Sequence, residues 1–182
     1  MTRRETALEE YKELTDEGEK AKLIYAYFGG AIYYSQCLEE TFSMMLWMDR
    51  IFKQRAKSKE EINEIIDAIE HSKKTMGNLL NEVKENYGIS ETHLDKLKTV
   101  LNKRNYLVHK YFKIEIQKFY SDQGRKEMLT YFGSFIDETL SIDNTLQEYF
   151  SHYKIKLGFT EERLEQLIHE MKETELKRTN EI

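Results

Sequence analysis

Residues 122–153 read DQGRKEMLTYFGSFIDETLSIDNTLQEYFSHY, and this stretch decides the fold class. Its apolar side chains recur in steps of three and four, which is the period of one face of an α-helix. The members of this stripe are Met128, Phe132, Phe135, Thr139, Ile142, Leu146, Tyr149 and Tyr153. The pattern predicts a long helix that buries one side in a core.

The rest of the chain carries similar patterns. Further helices are predicted at residues 3–15, 19–54, 58–87 with a break near Gly77, 90–112 and 160–171. The 182 residues include no proline, which favours long uninterrupted helices. We therefore predict an all-α fold, an antiparallel bundle of about four or five helices forming one domain over residues 1–182 with its core at about 19–171. Gly29 and Gly30, inside the second segment, predict close approach by a neighbouring helix.

Composition limits where the protein works and what it binds. The single cysteine excludes an intrachain disulfide and indicates a reducing compartment, so we expect a cytoplasmic protein. No membrane segment or signal peptide is expected, because the longest charge-free stretch, 23–38, is short and polar and the N-terminus lacks an apolar core. The formal charge of −5 is no overall signature of nucleic-acid binding, so any such surface must be local.

The helix after Ser90 contains one conflict with its own pattern. Its apolar stripe runs Leu94, Leu97, Leu101, Arg104, Val108 and Tyr111, so an arginine occupies a core position. Asn105 and His109 are four residues apart and lie one above the other on the neighbouring face. The long Arg104 side chain can reach the same space, and Tyr111 is expected almost directly below Arg104.

Positive charge is concentrated at the same place. Residues 96–118 hold seven Lys or Arg and one Glu, a net of +6 in a chain of net −5. A polyanion is the natural partner of such a patch, and Lys103, Lys110 and Lys113 are its candidate RNA-binding residues. A structural interpretation stays open: Arg104 paired with Glu39 or Glu40, His109 satisfied within the bundle, and the lysines solvated.

Residues 103–111, KRNYLVHKY, resemble the signature of the HEPN superfamily (higher eukaryotes and prokaryotes nucleotide-binding domains), which are small helical bundles. Its motif is an Arg, commonly an Asn next, and a His a few residues later. Arg104, Asn105 and His109 match that order. Tyr111 extends the match to the R-x-x-x-x-H-x-Y form of HEPN toxins that are partnered with a minimal nucleotidyltransferase antitoxin.

The resemblance implies a metal-independent endoribonuclease without a cofactor, acting as a homodimer on RNA as a toxin or anti-phage effector. Arg104 would stabilise the phosphorane and His109 would move protons. Asn105 would hold the His109 ring or a phosphate oxygen. Tyr111 would either fill the interface or accept AMP from a nucleotidyltransferase-like antitoxin.

Other classes fit the sequence less well or remain open. The chain lacks the paired Glu-x-x-His spacing of di-iron bundles, and His169-Glu170 lacks the second His of a zinc protease. A non-catalytic HEPN-like module that binds RNA, nucleotide or a partner protein is the alternative, and a purely structural helical protein is a third possibility.

Overall fold

The computed structural model describes residues 1–180, and the fold within them is all-α, as predicted. Eight α-helices and one 3₁₀ helix form this part of the chain. They are α1 (Arg3–Glu13), α2 (Glu17–Gln54), α3 (Lys59–Glu70), α4 (Met76–Tyr87), α5 (Glu91–His109), α6 (Tyr111–Glu115), the 3₁₀ helix (Ile116–Tyr120), α7 (Asp122–Lys156) and α8 (Glu161–Asn180).

The helix boundaries follow local signals in the sequence. Ser58 and Glu61 form the predicted capping box at the start of α3. Gly88 ends α4 with a φ of 60°, in the left-handed region that favours glycine. Ser90 accepts the backbone N–H of His93 at 3.3 Å and so caps α5.

The long helices α2 and α7 form the centre of the bundle. Phe28 packs on Phe132 near their starts, and Phe52 stacks on Tyr153 near their ends, so the two helices run in the same direction. α1 and α5 run in the opposite direction to α7: Arg4 and then Tyr11 meet Asp137 and then Asp122, and His93 and then Lys103 meet Tyr149 and then Glu138. The described residues form eight α-helices, more than the four or five predicted. α3 and α4 lie against the second half of α2, where the Tyr87 hydroxyl donates to the Met45 carbonyl at 2.6 Å.

The core extends further toward the N-terminus than predicted. Ala7 and Tyr11 of α1 are buried, and Gly133 of α7 lies directly beneath the α1 backbone. In contrast, the predicted close approach at Gly29 is wrong within the chain, because a Cβ there would meet no atom within 4 Å. Gly30 faces Ile136 at an ordinary contact distance.

The predicted C-terminal limit of the core is also wrong. The apolar stripe of α8 lies in solvent, with Leu164, Ile168 and Met171 exposed and Leu167 half-buried. Periodicity predicts an apolar face on a helix, but it does not identify what covers that face. Phe159, just before α8, contacts Trp47 with ring centroids 6.3 Å apart.

Candidate functional site

Arg104 lies on the packed side of α5, as its position in the apolar stripe predicts, but it is not sealed in the core. Leu97, Val100 and Leu107 around it are buried, while the Arg104 side chain keeps 25% of its surface exposed. The guanidinium reaches the edge of α2, where its Nη2 lies 3.7 Å from a carboxylate oxygen of Glu39. The ion pair weighed from the sequence therefore exists, as a long and half-exposed contact.

Asn105 and His109 occupy the solvent side of α5. Arg104 Nη1 donates to the Asn105 side-chain oxygen at 3.2 Å, so the structure brings these two residues together. His109 is exposed and makes no hydrogen bond within the part of the chain that the structure describes. Five residues correspond to about 140° around a helix, so Arg104 and His109 point to different sides of one chain.

Tyr111 does not continue the α5 stripe, and its expected place below Arg104 is wrong. The helix breaks at Lys110, whose φ of −134° and ψ of −26° are not helical. Beyond the break Tyr111 is buried, with its ring stacked on Tyr131 at 5.2 Å and packed on Phe132 at 4.9 Å. Burial raises the pKa of the Tyr111 hydroxyl above its ordinary value.

The basic residues of the predicted patch fall into two groups. Lys103 points toward α7, where its ammonium donates to both carboxylate oxygens of Glu138 at 2.6 Å. Lys118 is likewise paired, with Glu115 and Glu127. Lys98 is paired with Asp95 at 3.5 Å. Lys96, Lys110 and Lys113 are exposed and have no carboxylate partner within residues 1–180, so these three carry the accessible positive charge.

A cavity of about 620 Å³, which no sequence pattern predicts, lies between α1, α5, α6 and α7. Tyr106, Tyr111 and Tyr131 line it together with Lys12. The Tyr106 hydroxyl donates to Glu115 at 2.9 Å, and this bond, aided by a nearby lysine, lowers the pKa of the carboxyl. The clustering of tyrosines around residue 106 was the available signal, but their meeting with α1 depends on the fold.

The described residues form neither a metal-binding cluster nor a membrane-spanning helix. Within residues 1–180, no group of three or more His, Cys, Asp or Glu side chains is arranged to hold a metal ion. None of the described helices combines the length and apolar character needed to cross a membrane.

Comparison with known proteins adds no relative. The chain matches no protein-family model, no curated protein and no solved structure. The resemblance to HEPN domains therefore rests on residues 104–111, and the functional argument rests on the geometry around them.

Proposed function

We propose that the chain is a metal-independent endoribonuclease of the HEPN type, with a site formed by two copies. The observation that carries the proposal is the accessible Arg104–Asn105 pair beside an exposed His109 on one helix. A guanidinium offers forked donors to phosphate oxygens, and an imidazole exchanges protons near neutral pH.

The reaction needs two proton transfers. One His109 removes the proton from a ribose 2′-OH, and the 2′ oxygen attacks the adjacent phosphorus. The bond from phosphorus to the 5′ oxygen breaks, and the second His109 protonates that leaving oxygen. Arg104 neutralises the charge on the non-bridging oxygens. The products are a 2′,3′-cyclic phosphate and a 5′-hydroxyl.

A second copy supplies what one chain lacks. Val108 and Asn105 lie between Arg104 and His109 around α5, and Val108 is 42% exposed. A two-fold contact along this strip sets the His109 of one copy beside the Arg104 of the other. Lys110 and Lys113 then flank the shared groove and hold the RNA backbone.

Cleavage of a short RNA in EDTA tests the activity. The wild-type chain is expected to cut RNA and to leave intact a strand whose riboses are 2′-deoxy. His109→Ala is expected to reduce the rate by about 10²-fold or more, because the proton shuttle is lost. His169→Ala, which removes another exposed histidine, is the matched control and should retain full activity. Equal rates for wild type and His109→Ala would refute the nuclease.

The two-copy site has its own test. Val108→Glu should abolish cleavage and halve the particle mass without unfolding the chain, because a charge then occupies the proposed contact. Adding an excess of His109→Ala to a fixed amount of wild type should lower the cleavage rate, because a mixed dimer holds only one of the two histidines that the reaction needs. An unchanged rate would contradict the shared site.

A second function is favoured because Arg104 and His109 point to different sides of α5 within one chain. A non-catalytic HEPN-like module would bind RNA, nucleotide or a partner protein through Lys110 and Lys113, with Arg104 held by Glu39. Salt-dependent RNA binding without cleavage, unchanged in His109→Ala, would favour this module.

As a nuclease, the protein would act in the cytoplasm as a toxin or an anti-phage effector restrained by an antitoxin. Tyr111 is buried, with 3% of the residue exposed, so a nucleotidyltransferase could not reach its hydroxyl in this conformation.

A further inference from the structure

We propose that α8 is a self-association helix that pairs antiparallel with α8 of a second copy. This inference is independent of the proposed ribonuclease, because α8 lies at the other end of the bundle from His109. Phe159 contacts Trp47 late in α2, whereas Phe112, just beyond His109, packs on Phe28 about 28 Å earlier along the same helix.

The helix lacks a partner within the chain. No helix of the bundle makes an extended contact with α8 among the residues described. Leu164, Ile168 and Met171 are 42%, 52% and 71% exposed and form one continuous stripe. Most of the stability of a helix in a protein comes from packing of its apolar face, and α8 has no such packing within the described chain.

The stripe is complementary to itself when the second helix is reversed. Leu164 then lies opposite the partner's Met171, and Leu167 opposite the partner's Ile168, which gives four apolar layers by two-fold symmetry. The parallel alternative places Glu175 against its own copy within the seam, and like charges there repel.

Charges beside the stripe favour the same register. At about 100° per residue, Glu161, Glu165 and Lys172 lie on one side of the stripe, and Arg163 and Glu170 lie on the other. In the reversed pair, Lys172 falls between Glu161 and Glu165 of the second helix, and Arg163 faces Glu170. The opposite charges meet across both edges of the seam.

The apolar layers run from Leu164 to Met171, about 11 Å of helix, so the seam is far smaller than the ~800 Å² per partner of a standard interface and the pairing is weak. We expect a dissociation constant of tens of micromolar, measured by sedimentation equilibrium of the full chain. Using the Val108→Glu background removes any association through the proposed catalytic groove. A chain that stays monomeric at about 300 µM in that background would overturn the inference, whatever the nuclease assay shows.

Variants of exposed residues identify the seam. Ile168→Asp should abolish dimers, whereas Gln166→Asp, on the opposite side of α8, should leave them unchanged. Dimers that persist in Ile168→Asp would overturn the inference. Far-UV circular dichroism checks that the bundle remains folded.

A charge exchange identifies the direction of pairing. Lys172→Glu and Glu165→Lys should each weaken self-association about tenfold or more at low salt, because in the two-fold pair the first turns four attractions into repulsions and the second turns two. An equimolar mixture of the two should recover most of the wild-type affinity, because three of the four contacts then join opposite charges. In a parallel pair these positions do not meet, so a mixture without recovery would overturn the antiparallel seam.

Discussion

Gly133 is where the docking of α1 on α7 can be tested most directly. A Cβ placed on Gly133 would lie 2.6 Å from the Cα of Arg4 and 2.8 Å from its backbone nitrogen. Both neighbours are backbone atoms, so no side-chain rotation relieves the overlap. Gly133→Ala must therefore push the first turn of α1 away by about 1 Å, because carbon atoms pack at about 3.5–4.0 Å.

The cost follows from what that displacement disturbs. The backbone N–H groups of Arg3 and Arg4 donate to the Asp137 carboxylate at 2.8 and 3.2 Å, and Tyr11 is buried further along α1. Overpacking costs about 1–3 kcal/mol, with the upper end expected for a clash with backbone. Replacing a mid-helix glycine by alanine returns about 1 kcal/mol through helix propensity. We expect a net loss of about 2 kcal/mol in the free energy of unfolding.

Urea unfolding followed by circular dichroism measures this loss. Gly29→Ala is the matched control, because Gly29 is also in the middle of a long helix but a Cβ there meets nothing within 4 Å. The control should gain about 0.5–1 kcal/mol from propensity alone. A Gly133→Ala protein as stable as wild type, beside a stabilised Gly29→Ala, would refute the packing of α1 on α7.

Three further predictions concern charge. The pKa of Glu115 is lowered in the folded protein. Its ionised carboxylate therefore stabilises the fold fully above the ordinary pKa, and this contribution is lost as the pH falls through the lowered value. Glu115→Gln should reduce Tm at pH 7 more than at pH 3. Lys110→Ala and Lys113→Ala should each reduce the salt dependence of single-stranded RNA binding by about 0.7 in log–log slope, and unchanged slopes would place the RNA elsewhere. Glu39→Gln should tighten RNA binding several-fold at 50 mM salt, about a 1 kcal/mol effect, by freeing Arg104; unchanged affinity in a filter-binding assay would argue against phosphate contact.

Much of the fold could be predicted because its signals are local. The capping box at Ser58 and the left-handed stop at Gly88 each depend on a few neighbouring residues, so the sequence contains all the information they need. The stripe of α8 carries the same kind of signal, yet its side chains lie in solvent. What covers an apolar face is a long-range property that periodicity does not encode.

The candidate site, like the fold, was predictable where its signals are local and not where it depends on distant residues. The position of Arg104 in the apolar stripe indicates the packed side of α5, but periodicity does not show that a quarter of its side chain stays exposed. No glycine or proline marks the break at Lys110 in the sequence. The apolar pattern therefore extends α5 to Tyr111, whereas Tyr111 is the first residue of α6. The pairing of Lys103 with Glu138 joins residues 35 positions apart and could not be inferred from the charge of the window alone.

The position of α3 and α4 on one half of α2 has a consequence for how the molecule opens. α3 packs on α2, and α4 packs on α2 and α5, whereas α2 and α7 are enclosed on several sides. Amide protons of α3 and α4 should therefore exchange with solvent through a local opening that leaves the central pair protected. Such an opening would expose the carboxylate of Glu39. The ion pair between Glu39 and Arg104 therefore lies beside the helices that open most easily.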